Sequence, residues 1–92
     1  MEVIWLLRAR NNLQDIFDYL DERDPAAAQR TAGRLYEASF WLSGMPRLGR
    51  KGQIPGTREL VVADTHYILR YRIKSDRIEV LRVIDGRTNW KE

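Results

Sequence analysis

Residues 55–90 read PGTRELVVADTHYILRYRIKSDRIEVLRVIDGRTNW. β-branched, aromatic and aliphatic residues fill three runs separated by two turns, Asp64-Thr65 and Lys74-Ser75-Asp76, a pattern that predicts three short strands in an antiparallel meander. Arginines stand inside these strands or at their ends, at Arg58, Arg70, Arg72 and Arg82, where Thr or mixed charge is more usual. Strict alternation over 77–84 puts Ile78, Val80, Arg82 and Ile84 on one face, and Arg77, Glu79, Leu81 and Val83 on the other. Arg82 thus interrupts an apolar row. Either its stem packs on its neighbours while its head reaches solvent or a carboxylate such as Glu59 or Asp85, or its guanidinium is fixed in a groove ready for phosphate or carboxylate.

Upstream, Val3-Ile4-Trp5-Leu6-Leu7 is continuously apolar and too brief for an independent helix, so it predicts a strand covered on both faces. From Arg8 the period changes. Ala9, Leu13, Ile16, Phe17 and Leu20 form one helical stripe with Asp15, Asp18, Asp21 and Glu22 off it, predicting a first helix to about Arg23. Asp24-Pro25 then starts a second helix, because Asp caps free amides and proline lacks an N–H that would be unpaired there. Its inner stripe is Ala28, Thr31/Ala32, Leu35, Ala38/Ser39 and Leu42, ended by Gly44 and Pro46. So short a link makes the two helices an antiparallel hairpin. Tyr36, Phe40 and Trp41 widen the apolar surface of the second helix beyond one neighbour. That helix is either wedged between the sheet and the first helix, or it leaves a surface for a partner. Residues 45–56 form a glycine- and proline-rich loop. The order β-α-α-β-β-β predicts an α+β domain, a helical hairpin on one face of a small, mainly antiparallel sheet whose other face is free to bind.

With 92 residues, one domain spanning 1–92 is expected. The net charge of +3 and pI near 9.6 favour an acidic partner without choosing between nucleic acid and protein. The distribution is lopsided. Residues 1–24 carry six acids against three bases, whereas 46–58 carry Arg47, Arg50, Lys51 and Arg58 and no acid. Absence of cysteine excludes disulfides, thiolate nucleophiles and Cys-based metal sites, and suits a reducing cytoplasm. Val3–Leu7 is far short of the roughly 18 apolar residues a membrane span needs, so no membrane association is expected.

Acyl-transfer, Walker, Rossmann and zinc motifs are all missing, so neither metal nor nucleotide cofactor is expected. His66 is the sole histidine, which excludes a His pair for metal binding or two-step proton transfer. RNA cleavage without metal needs a base near the 2′-hydroxyl, an acid for the leaving oxygen and cations for the charge on phosphorus. Arginines supply the third role, but no group is placed by sequence beside Arg82 or Arg87 for the first two.

Four sets of residues, in order, resemble the ParE/RelE superfamily of type II toxins, specifically its ParE-like branch. They are Ala9…Leu13…Ile16…Tyr19-Leu20; Pro46-x-x-Gly49-Arg50 with Pro55-Gly56-Thr57-Arg58-Glu59-Leu60-Val61-Val62; Tyr67-Ile68-Leu69-x-Tyr71-Arg72-Ile73; and Ile78-Glu79-Val80-Leu81-Arg82-Val83-Ile84-x-Gly86-Arg87. The resemblance covers nearly the whole chain and implies the same β-α-α-β-β-β fold. It implies a toxin neutralised by a small ParD-like antitoxin. ParE-like members trap DNA gyrase on cleaved DNA, whereas RelE-like members cut messenger RNA in the ribosome.

Carried onto this chain, the resemblance favours the first activity. RelE-like nucleases place an arginine where this chain has Ile68, and the segment from Gly86 to Glu92 lacks a tyrosine. Asp85 stands where many ParE-like relatives have histidine, which removes the most plausible base. The expectation is a non-catalytic cytoplasmic toxin whose target contacts are Arg58, Arg82, Asp85, Arg87 and, as apolar anchor, Trp90, without sequence-specific nucleic-acid binding. The antitoxin is expected across the hairpin and sheet as an amphipathic helix followed by an extended segment. Tyr36, Phe40 and Trp41 would be its apolar seat, and Arg47, Arg50 and Lys51 would meet its acidic stretch. The alternatives are a ribosome-dependent endoribonuclease relying on Arg82 or Arg87, and a toxin-derived binding module that has lost toxicity.

Overall fold

Asp24 divides the helical half of the chain. Its carboxylate accepts a hydrogen bond from the Ala27 amide at 3.2 Å, and Pro25 opens the following helix, where its missing N–H leaves no bond unmade. In the computed structural model, which describes residues 1–88, α1 spans Leu7–Asp21 and α2 spans Pro25–Gly44. The buried residues of α2 are Ala28, Leu35, Ala38, Ser39 and Leu42, the stripe expected from the sequence. Ser39 is tolerated there because its hydroxyl donates to the Tyr36 carbonyl at 2.8 Å, a local bond that satisfies a buried polar group.

Five strands form one sheet: β1 (Glu2–Trp5), β2 (Arg50–Lys51), β3 (Arg58–Val61), β4 (Tyr67–Ile73) and β5 (Arg77–Asp85), in the order β1-β5-β4-β3-β2. β1 runs parallel to β5, and every other pair is antiparallel. The α+β architecture and the meander are as expected. Three details differ. First, β1 ends at Trp5 and Leu7 already belongs to α1, with the Arg10 amide closing the first turn on the Leu6 carbonyl at 3.0 Å. As an edge strand, β1 is half-buried rather than covered on both faces. Second, the 45–56 loop contains β2, a two-residue strand paired to Arg58 and Glu59.

Third, β5 does not alternate strictly. Arg70 faces Arg82 while Tyr71 faces Val80, so Leu81 has no partner and forms a β-bulge. Because one extra residue reverses the alternation beyond it, Val83 joins Ile78 and Val80 on the helix side. Arg82 and Ile84 then fall on the opposite face, with Arg70 and Ile68. Arg82 therefore does not interrupt the apolar row that contains Val80.

The core lies between the hairpin and the sheet. One cluster gathers Ala9, Leu13, Leu35, Ala38, Val62, Tyr67, Leu69, Val80 and Val83, and a second joins Leu42, Tyr71 and Ile78. Asn12 ties α1 to the sheet past the end of β1, its side-chain oxygen accepting from the Val83 amide at 3.1 Å. Two turns set the meander. At Asp64 the backbone is left-handed, φ 62°, a conformation Asp tolerates better than branched residues. At the other, the Lys74 amide donates to the Arg77 carbonyl at 2.8 Å.

Candidate functional site

The sheet face opposite the helices is the charged one. Cross-strand partners share a face, which puts Glu59 beside Arg70, Arg70 beside Arg82, and Arg72 beside Glu79. Glu59 and Arg70 are buried, their side chains 1% and 3% exposed, with Arg70 Nη2 3.5 Å from Glu59 Oε2. Arg50 approaches the other oxygen of Glu59 at 3.8 Å. Glu79 is clamped between Arg72 at 2.6 Å and Arg77 at 2.9 Å. The hydrogen bond from Arg72 holds its carboxyl below the ordinary carboxylate range, burial opposes this, and the bond from Arg77 reinforces it.

At one end of this face lies a groove of about 620 Å³ lined by Arg8, Arg70, Arg72, Lys74 and Arg82, with Leu6, Leu81 and the 54–57 turn completing its walls. Among the described residues, its lining contains five cations and no histidine, tyrosine or carboxylate. Chemically it can hold an anion. Ile68, on the same face, is buried and apolar.

A second cluster sits at the far end of β4 and β5. The Arg87 backbone amide donates to Asp85 Oδ1 at 2.9 Å and its guanidinium donates to both carboxylate oxygens, at 3.2 and 3.0 Å. His66 Nε2 lies 3.8 Å from Asp85 Oδ2. The Arg87 guanidinium pulls the Asp85 carboxyl below its ordinary value, partly opposed by burial, with the Arg87 amide as a lesser contribution. The Tyr67 hydroxyl is pushed up, first by burial and then by Asp85. Tyr67, Asp85 and Arg87, with Asn12, Asp15 and Tyr19, border a cleft of about 400 Å³.

A third surface is the outer side of α2. Phe40 is 73%, Tyr36 56% and Trp41 53% exposed. Phe40 and Trp41 meet edge to face at 6.3 Å, and Tyr36 leans on Trp5 at 5.6 Å. Leu48 and Val61 extend this apolar surface around a smaller cleft beneath Trp41. Arg47, Arg50 and Lys51 are exposed on the loop and β2.

The expected target-contact residues are therefore not brought together. Arg82 lines the basic groove, while Asp85 and Arg87 form the strand-end cluster. Arg58 faces the helix side, donating to the Gly49 carbonyl at 2.7 Å, and Trp90 lies outside the described residues. Of the expected antitoxin contacts, Tyr36, Phe40 and Trp41 lie exposed on α2, whereas Arg47 and Lys51 border a separate cleft with Pro55, Thr57 and Arg58, and Arg50 approaches Glu59. Sequence reading missed Tyr71, which is fully buried and whose hydroxyl donates to the Pro46 carbonyl at 2.7 Å while accepting from the Gly49 amide at 2.9 Å. Burial raises its pKa. The available signal was that a tyrosine in a buried strand must find a partner for its hydroxyl. Among the described residues, no group of three or more His, Asp or Glu side chains is placed to hold a metal ion, and no helix is long and apolar enough to cross a membrane.

In fold, this chain resembles a solved chain described as the chromosomal ParDE toxin–antitoxin system from P. aeruginosa. The two match at a TM-score of 0.84 with 24% identity, over 92% of this chain and 95% of that one. This chain belongs to the ParE family, the family model described as ParE toxin of type II toxin–antitoxin system, parDE, matching residues 3–90. The toxin candidate Y4kP of Sinorhizobium fredii is 42% identical over 96% of this chain and 91% of its own length. Toxin RelE2 of Caulobacter vibrioides is 37% identical over 89% of this chain and 91% of its own. Toxin RelE1 of the same organism is 33% identical over 91% of each. The protein is a toxin of the ParE/RelE superfamily, as its motifs implied, and relatives bearing the RelE name stand among its matches.

Proposed function

We propose that this toxin acts by binding rather than cutting, poisoning DNA gyrase, and that a ParD-like antitoxin neutralises it. One observation carries the first half. The groove that concentrates positive charge offers, among the described residues, cations without a histidine, tyrosine or carboxylate for proton transfer. The two glutamates of that face are engaged by arginines. Metal-free RNA cleavage needs both charge stabilisation and a positioned acid and base, and apart from Lys74 the groove supplies only the first. Arg82 is the groove residue whose loss should weaken target inhibition, with Asp85 and Arg87 at the strand end and Arg58 beside the loop as further contacts. The exposed aromatics Tyr36, Phe40 and Trp41 support the antitoxin half. An apolar helix face of this kind takes an amphipathic partner helix, and the basic loop residues Arg47, Arg50 and Lys51 favour acidic residues following it.

The test combines two assays on purified, refolded toxin. In a gyrase supercoiling reaction, loss of supercoiling with accumulation of cleaved DNA is expected, reversed by antitoxin and weakened in Arg82→Ala. In a translation reaction, messenger should stay intact. Cut messenger with unaffected gyrase would overturn the proposal. Inactivity in both, with antitoxin binding intact, would identify a module that has kept its partner and lost its target.

A further inference from the structure

β2 is too short to cover β3. Its two residues pair only with Arg58 and Glu59, and the chain before it turns inward, where Gly49 is held by Tyr71 and Arg58. The hydrogen-bonding direction along β3 follows from the neighbouring bonds. The Gly52 amide donates to the Thr57 carbonyl at 2.8 Å, toward β2, and the Val62 amide donates to the Tyr67 carbonyl at 3.0 Å, toward β4. Because these directions alternate residue by residue in an antiparallel ladder, the amide and carbonyl of Val61 point away from β4, onto the track that β2 leaves empty. Val61 is also 58% exposed.

Apolar surface adjoins this edge. On the helix side, Ala38, Trp41, Leu48, Leu60 and Val62, with Arg34 and Glu37 at its rim, border a cleft of about 170 Å³, room for one aliphatic side chain. In an added strand the residue opposite Val61 shares its face, and each of that residue's neighbours points the other way, into this cleft. The two ends of the track differ in charge. Arg47, Arg50 and Lys51 lie at the β2 end, whereas at the other end Asp64 is already engaged by Arg34 at 3.1 Å.

We propose that the outer edge of β3 at Val61 is a strand-pairing site for a short extended peptide segment, with one aliphatic side chain in the cleft beneath Trp41 and acidic residues at the end toward β2. This rests on the antitoxin reading above and assigns the occupant to the antitoxin's extended segment, following the helix seated on Phe40. Backbone pairing with an exposed edge supplies affinity, while the pocket beside it supplies specificity.

The experiment uses the full-length antitoxin encoded beside this toxin and compares three toxin variants. Val61→Pro removes the outward amide, a change edge strands tolerate when that N–H faces solvent; Val61→Thr keeps it; Phe40→Ala tests the helix seat. Amide hydrogen exchange is followed in wild-type toxin, free and bound. Expected are slower exchange of the Val61 amide in the complex, a loss of affinity of about tenfold in Val61→Pro, and near wild-type binding by Val61→Thr. Unchanged exchange at Val61 would sink the edge site whether or not the proline variant folds. If Phe40→Ala still weakens binding in that case, the antitoxin reading stands without it. Failure of the wild-type toxin to bind the antitoxin would remove the reading itself. Protection of Val61 in free toxin that rises with toxin concentration would assign the edge to a second copy of this chain and overturn the proposal.

Discussion

Removing the hydroxyl of Tyr71 should loosen the basic loop while leaving the core in place. The ring is fully buried between Leu42 and Ile78, and Tyr71→Phe preserves it. What disappears is the bridge to the Gly49 amide at 2.9 Å and the Pro46 carbonyl at 2.7 Å. A protein hydrogen bond contributes about 1 kcal/mol net, and a buried donor left unpaired costs roughly 1–3 kcal/mol. Gly49 is itself buried, so its amide gains no easy access to water, and we expect a loss of about 2 kcal/mol. For a domain of this size that corresponds to a fall in Tm of roughly 8–16 °C. Urea unfolding followed by tryptophan fluorescence should show a lower midpoint at unchanged slope. Hydrogen exchange should quicken at Gly49 and stay unchanged at Leu69. A midpoint shift worth less than about 0.5 kcal/mol would refute the bridge as the anchor of the loop.

Two further expectations concern the paired carboxylates. Arg70→Ala leaves the buried Glu59 carboxylate with only the longer approach of exposed Arg50 and should cost about 3–5 kcal/mol, whereas the double change Glu59→Leu with Arg70→Met should recover most of it; equal destabilisation by single and double variants in chemical unfolding would contradict this. Glu79 and Asp85 both have carboxyls held below their ordinary values in the folded protein. Since the unfolded state then binds protons first, their stabilisation is fully present above the ordinary carboxylate range and is lost as pH falls through it toward the folded values, from about pH 5 downward. Unfolding midpoints between pH 7 and 3 should therefore fall less steeply in Glu79→Gln than in wild type, and parallel curves would remove Glu79 from the account.

The helical half was legible because its signals are local. Asp24-Pro25 marks a helix start in two residues, and the Ala28-to-Leu42 stripe needs only a period. The meander was legible from its β-branched runs and turns. The bulge was not, because Val80-Leu81-Arg82-Val83 contains no glycine or proline to mark an unpaired residue; only the register with Arg70 and Tyr71 reveals it. That single unpaired Leu81 decides which face carries Arg82. β2 escaped notice for a related reason, since two residues carry no period and take their strand form from the ladder with Arg58 and Glu59. In the candidate site, the exposed aromatics of α2 were readable as surplus apolar surface. The separation of Arg58, Arg82 and Arg87 was not, because residues on neighbouring strands can be close or far in ways that charge alone does not encode.

The parallel pairing of β1 with β5 gives synthesis an order of events. Glu2 to Trp5 are synthesised before the rest of the sheet, yet their partners are Arg77 to Val80. About 75 residues separate the two strands, so at roughly 5–20 residues per second the first strand waits some 4–15 s before it can be paired. Every nascent chain therefore passes through a stage in which β1 and both helical segments have been synthesised without the strand that joins β1 to the sheet. A chain halted before Arg77 would lack the seat of β1 and the Arg82 wall of the groove together. Premature termination then leaves fragments without the closed sheet or its complete basic groove.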